Sequence, residues 1–281
     1  MWGIAPMYFK LLTSVPALEI VMHRIIWSVL VLCLLLIVRK KFNQVIVAMR
    51  NPKVITILSI SGLLLAVNWL IFIWAVNNNH LLEASLGYFI NPLFNVFLAR
   101  FFLQETLTRL QFLAVLVALT GVMFLIISHG QIPWVALALA ITFSIYGLLR
   151  KKVAIESMPG LFIESSIMLP FALLYWIIME PLSGNMLANN FDLNVKLILA
   201  GVVTTAPLLC FTAAARRIRF TTLGFFQYVG PSLMFLLAVL YYQEPLDVAR
   251  VVTFVFVWVG LLIYVYDSLR IYRKSKLVNC E

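Results

Sequence analysis

Nine apolar runs, each about long enough to cross a lipid bilayer, dominate this sequence and leave little else for it to fold into. They cover residues 17–38, 54–76, 82–103, 108–127, 133–149, 160–179, 196–214, 221–242 and 248–267. A helix needs ~20 residues to span a ~30 Å hydrocarbon layer. A tenth run, residues 1–12, is too short to cross. Only helices and closed barrels satisfy their backbone inside lipid, and barrel strands alternate in short segments, so unbroken runs predict helices. Composition agrees: of 281 residues, 63% are apolar and 11% charged, where a soluble protein carries about 25% charged residues. Too few charges remain to cover a water-soluble body. A soluble enzyme, a nucleic-acid binder and a disordered chain are excluded, and the expectation is an all-α polytopic protein whose first partner is the lipid bilayer.

The formal charge of +10 matters through where it falls. If the first run points outward from the cytoplasm, the inner connections hold 17 of the 21 Lys and Arg residues, including Arg39–Lys41, Arg150–Lys152 and Arg216, Arg217 and Arg219. Lys10, Lys196 and Arg250 stay outside, and Arg24 lies within a span. Basic residues collect on the cytoplasmic side, so both termini are expected there. The loop 180–195 has neither Lys nor Arg between its ends, in keeping with an outer position. No charged stretch precedes the first run and no cleavage site follows it, so a signal peptide is not expected. The run reads as the second half of a helix, as a late start codon or a truncated sequence would produce. Residues 42–49 suit a short amphipathic helix on the cytoplasmic surface, and the tail Arg270, Arg273, Lys274 and Lys276 suits anionic lipid.

The chain also repeats itself. At an offset of 139, Phe72 matches Phe211, Pro92 matches Pro231, Gln104-Glu105 matches Gln243-Glu244, Leu107 matches Leu246 and Gly121 matches Gly260. Near an offset of 144, Trp2-Gly3 resembles Tyr146-Gly147, and Glu19 and Glu164 then sit at similar depths. Each half holds five spans, and an odd number turns the second copy over. Ten transmembrane helices in two inverted five-helix repeats are expected, the first helix truncated: residues 1–130, then 131–268, then a basic cytoplasmic tail, 269–281. Inverted repeats mark secondary transporters, whose substrate sites lie near the midplane between the halves.

Residues 2–12 (WGIAPMYFKLL), 16–28 (PALEIVMHRIIWS), 68–92 (NWLIFIWAVNNNHLLEASLGYFINP) and 208–231 (LLCFTAAARRIRFTTLGFFQYVGP) closely resemble the RarD-type proteins of the EamA family, in the drug/metabolite transporter superfamily. The resemblance runs from Trp2 to about Tyr266. It implies a bacterial inner-membrane protein that moves a small metabolite or drug by alternating access, and it fixes no substrate. Gln104 and Gln243 depart from it, standing where the family usually has glycine.

Polar groups inside spans are costly and therefore candidates for the substrate pathway. Arg24 sits roughly 10 Å into the second helix at 1.5 Å per residue. It could anchor an anionic group, exchange partners between states, or form a fixed pair with Glu19. Glu19 and His23 share a helix face, and Lys10 could meet Glu19 across the turn. Tyr88, Asn91 and Asn95 form one stripe beside Pro92, where a loosened backbone would line a cavity. Their repeat partners include Gln227, opposite Tyr88, and Gly230, opposite Asn91. Interhelical hydrogen bonding is the structural alternative for the asparagines. Asn68, Trp69, Tyr146 and Tyr228 are candidate cavity walls, and Trp74 an interfacial anchor. Glu105 and Glu244 read as turn and cap elements. Proton coupling through Glu19 or Glu164 is expected from depth alone.

Cys33, Cys210 and Cys280, like His23, His80 and His129, show no metal-ligand spacing, so no metal or cofactor is expected. The leading reading is a carrier for a small molecule, acting as a monomer or homodimer. A channel would show charged rings or a filter, and a membrane enzyme would need clustered acids, histidines or a nucleophile beside a base. A reporter fused after Lys276 should read cytoplasmic; a periplasmic signal would reverse the assigned orientation.

Overall fold

The computed structural model describes residues 1–129, 133–243 and 247–278, without the side chains of His129, Arg250 and 272–278. Glu244, Leu246 and Cys280 lie outside the described residues, as do the side chains of Arg273, Lys274 and Lys276 and the boundary at 130–131 between the expected repeats. Among the described residues there is no strand, and nine helices are long and apolar enough to cross a membrane.

After a single 3-10 turn, Trp2–Ile4, the helices are α1 (Ala5–Lys10), α2 (Ala17–Val38), α3 (Phe42–Met49), α4 (Pro52–Asn77), α5 (Leu81–Phe102) and α6 (Arg109–His129). They continue as α7 (Trp134–Lys152), α8 (Ser157–Met179), α9 (Phe191–Arg217), α10 (Phe220–Phe226), α11 (Val229–Leu236) and α12 (Val248–Val278). Several helices outrun their apolar runs, because helical hydrogen bonding continues into charged flanks that hydropathy does not see. In α9 the added first turn carries Asp192, paired with Lys196 at 2.5 Å. At α4, Asn51 accepts the Lys53 and Val54 amides at 3.1 and 3.4 Å, with Pro52 in the first turn, a start signal independent of hydropathy.

One expected span is not a continuous helix. Residues 221–242 divide into α10, a turn at Gln227 and Tyr228, α11 and a π-helical stretch Leu237–Tyr241. Pro231 contributes no amide to the ladder, and the Gly230 amide instead takes the Gln227 carbonyl at 3.2 Å. Its counterpart α5 carries Pro92 without a break. The kink foreseen at Asn91 thus has its visible counterpart in the other half.

Helix ends repeat at the same offset as the sequence matches. Gln104 and Gln243 have φ of 54° and 50°, the left-handed region that glycine occupies most readily. At Gln104 that conformation closes α5, since the Leu103 and Glu105 amides both reach the Ala99 carbonyl at 3.1 Å.

The outward faces are apolar, as lipid contact demands: Phe101, Ile127, Ile177 and Leu262 are all more than half exposed. Helix contacts depend on small residues, because lipid supplies no hydrophobic drive between helices. A Cβ on Gly121 would stand 2.6 Å from Phe256 Cβ, and one on Gly260 2.7 Å from the Ala114 carbonyl, so α6 and α12 meet through matched glycines. Gly62 and Gly201 similarly admit α8 against α4 and α2 against α9. The short helix α3 packs Val45 and Ala48 inward near the start of α8, with Phe42 5.6 Å from Phe162.

Glu105 ties the α5–α6 loop to the start of α10. Its carboxylate accepts the Phe220 amide at 2.8 Å, the Thr221 amide at 3.1 Å and the Thr221 hydroxyl at 2.6 Å, with Arg219 Nε 3.8 Å away. Burial alone would raise its pKa; these hydrogen bonds and Arg219 outweigh it and hold the group below its ordinary 4.5. The stabilisation is therefore present above pH 4.5 and lost as pH falls through the lower folded value. Glu105→Gln should lower stability at pH 7 by about 1 kcal/mol, and that difference should shrink on acidification below pH 4.5. Thermal unfolding of both proteins across pH checks this; a pH-independent gap would exclude the charged cap.

Candidate functional site

A cavity lies between the helices at mid-depth. Its walls are aromatic: Trp2 from the first turn, Trp69 and Phe72 from α4, Tyr88 from α5 and Phe143 from α7. The rings support one another, with centroids 5.6 Å apart for Trp69–Phe72 and Phe72–Tyr88 and 5.2 Å for Trp2–Phe143. The broken α10–α11 region supplies Gln227, Gly230, Pro231 and Met234. Gly230 meets no atom within 4 Å of a would-be Cβ, which leaves room where the first half supplies Asn91.

Two amides face this space from opposite halves. The Asn91 side-chain oxygen accepts the Ser144 hydroxyl of α7, while its nitrogen has no partner. Gln227 accepts a hydrogen bond from Asn95 Nδ2 at 2.6 Å. Trp2 Nε1 is also buried without a partner.

A second, smaller cavity lies between α2, α4 and α8 and is lined by Arg24, Gly62 and Glu164 among others. Glu164 is enclosed and accepts the Ser61 hydroxyl at 2.5 Å, and Arg150 Nη1 lies 3.5 Å from the same oxygen. Arg150 is wholly buried and donates to the Ser157 carbonyl at 3.2 Å. Gly160 makes this possible, since a Cβ there would stand 2.1 Å from Arg150 Nη1. Arg24, 5% exposed, lies 4.9 Å over the Trp69 ring, and its Nε has no partner. Trp69 thus lines the central cavity and packs against Arg24, which lines the second.

Of the sequence candidates, Trp69, Tyr88, Asn91 and Gln227 line the central cavity, and Arg24 and Glu164 the second. Asn95 supports Gln227 from behind. Asn68 joins α4 to α7, donating to the Leu139 carbonyl at 3.0 Å and Thr142 Oγ1 at 2.8 Å. Tyr146 stacks on Phe211 and lies near enough to Glu164 to act on it electrostatically. Tyr228 packs instead against Phe89 and Phe225 in the apolar cluster of α5, α6, α10 and α12. Lys10 does not meet Glu19: it reaches Asn79 Oδ1 at 2.5 Å and the Tyr242 ring at 5.3 Å. Glu19 accepts Ser183 Oγ at 2.5 Å, and that oxygen lies 3.2 Å from His23 Nε2. The loop that follows α8 is thus fastened to α2, and a fixed Arg24–Glu19 pair is not formed. Trp74 stacks on His80 with centroids 5.3 Å apart near the end of α4.

Sequence reasoning missed Arg150, which stands in a basic run that reads as a topology signal; its neighbour Lys151 caps α9 through the Ala215 and Ile218 carbonyls. Ser61, Ser183 and Phe143 carry no pattern that distinguishes them from packing residues.

The bundle of long apolar helices and its aromatic-walled cavity with two amide side chains define a polytopic membrane protein of transporter type. Residues 1–127 match the EamA-like transporter family. The chain is 50% identical over 275 residues to Protein RarD of Salmonella typhi, covering 98% of this chain and 94% of that one. It is 50% identical over 272 residues to an uncharacterised transporter of Vibrio cholerae, covering 96% and 90%. A crystal structure of a protein 18% identical superposes with a TM-score of 0.67 over 93% of this chain and 92% of that one, which shows the fold alone. The chain belongs to the EamA-like transporter family, as a RarD-type member.

Removing one member of a buried ion pair leaves the other charge uncompensated, at a cost of about 3–5 kcal/mol. Glu164→Gln should therefore destabilise by about 3 kcal/mol, and Glu164→Met combined with Arg150→Met should lose less than the single substitution. Unfolding of the purified proteins in detergent tests this; a double variant as unstable as the single would show that pairing contributes nothing.

Proposed function

We propose that this chain is a secondary transporter that moves a small metabolite or drug across the bacterial inner membrane by alternating access. In this reading it consists of two inverted five-span repeats, 1–130 and 131–268, the first span partial, with both termini cytoplasmic. The central cavity carries the proposal: it lies at mid-depth, and both halves contribute a polar side chain to it. The register supports the repeats. Pro52, Leu81 and Arg109 open helices 139 residues before Phe191, Phe220 and Val248. Gly62 and Gly121 make close approaches matched at the same offset by Gly201 and Gly260. The strong packing of α6 on α12, and of α2 on α8, is that of each element on its own counterpart. The bacterial relatives and the one-sided basic residues support the membrane and the orientation.

Alternating access predicts that closing one mouth biases the protein toward opening the other. At the expected outer mouth, Lys10 and Tyr242 stand together. With Cys33, Cys210 and Cys280 replaced by serine, Met234→Cys reports the cavity to an impermeant maleimide in sealed vesicles of either orientation. Cross-linking Lys10→Cys to Tyr242→Cys should stop labelling from outside and accelerate it from the cytoplasmic side by about threefold or more. A channel would lose outside labelling with no change from within, and that result would reject the carrier.

A further inference from the structure

The free hydrogen-bonding capacity around the central cavity is one-sided. Trp2 Nε1 can only donate. Asn91 has its oxygen engaged by Ser144 and its nitrogen unpartnered, and Gln227 has its oxygen engaged by Asn95. Each amide is left with its NH₂ group as the free end. Among the indole and amide side chains that line the cavity the free ends are donors, and the Tyr88 hydroxyl can act either way.

Fixed charge has the same sign. Two guanidiniums, Arg24 and Arg150, are enclosed beside a single carboxylate, Glu164. Glu164 is paired to Arg150 and to the Ser61 hydroxyl. Glu19 is taken up by Ser183, so the one carboxylate in the cavity of Arg24 is Glu164, already engaged by Arg150, and Arg24 keeps a buried Nε without an acceptor. A buried guanidinium with an unmet donor is costly, and an incoming anion would relieve that cost. Trp69 lines the central cavity while Arg24 lies over its ring.

We propose that the cargo is a small organic anion with a flat apolar body: a carboxylate-like group held by Arg24 and the Trp2, Asn91 and Gln227 donors, and a ring held among the aromatic walls. The proposal rests on the carrier reading of this cavity and names its substrate class. Arg24 reaches the cargo when Trp69 turns aside.

The test uses the full chain in lipid nanodiscs, read by thermal unfolding and tryptophan fluorescence. The probes are benzoate and indole-3-acetate, their amides, and benzylammonium and tryptammonium. The acids should give a saturable response at least about tenfold tighter than the amides, with no response to the ammonium ions. Arg24→Gln should weaken the acids by about tenfold, and Arg24→Lys by less. Trp2→Phe, which keeps the wall and deletes one donor, should weaken the acids about threefold. Amides or ammonium ions binding as tightly as the acids, no saturable response to either acid, or unchanged acid binding in both Arg24→Gln and Trp2→Phe would overturn the proposal. Labelling of Met234→Cys from the two sides needs no ligand, so it judges the carrier reading separately from the charge of the cargo.

Discussion

Hydrocarbon offers no hydrogen bonds, and the rest of this structure follows from that. Every backbone amide in the spans must be satisfied within the chain, which makes the spans helical. Polar side chains must then find partners in the protein or border a cavity. Asn68 does the first, bonded across to α7. Asn91 does both, its oxygen engaged and its nitrogen left over beside the central space. Asn91 Nδ2 and Trp2 Nε1 are unmet groups of residues that line the central cavity, which is the arrangement a ligand would complete.

Much of the fold was legible for the same reason. The run at 17–38 coincides with α2, Ala17–Val38, because its ends are set by Pro16 and by the basic run at Arg39. The helix at 42–49 also stands where its pattern placed it. Failures came where backbone chemistry rather than hydropathy decides: α9 extends through charged flanks, and residues 221–242 keep an unbroken apolar run across a broken helix. Hydropathy reports the solvent around a segment and carries no information on whether its hydrogen-bond ladder is continuous.

The candidate site was legible in part. Trp69, Tyr88, Asn91 and Gln227 could be picked out because polar and aromatic residues at mid-span are conspicuous against lipid, and all four line the cavity. Tyr228 is equally conspicuous yet packs into an apolar cluster, since depth says nothing about the direction a side chain takes. Arg150 was hidden by its basic neighbours. Its burial depends on Gly160, which lies in the next helix and has no local signal of pairing. Lys10 and Glu19 are close in sequence, but Asn79 and Ser183, brought in from distant loops, are the partners they find.

The two prolines at equivalent positions show how one duplicated element acquires two uses. Pro92 sits inside a continuous α5, where the Ser144 hydroxyl of α7 takes the Asn91 carbonyl at 3.2 Å and Gly87 lets Ala136 of α7 approach closely. At Pro231 the Ser85 hydroxyl of α5 donates to the Pro231 carbonyl at 3.1 Å, but Gly230 leaves open space and the chain turns at Gln227 and Tyr228. Below the turn, Glu105 caps α10; above it, the ladder relaxes into the π-helical stretch that ends with the Tyr242 amide on the Leu237 carbonyl at 3.0 Å. The jointed element therefore bears on the cavity, the Trp2–Ile4 turn and the outer contact with Lys10 at once. A continuous helix braced along α7 thus faces a segmented one capped by Glu105 at the start of α10, and the cavity lies between an unbroken wall and a jointed one.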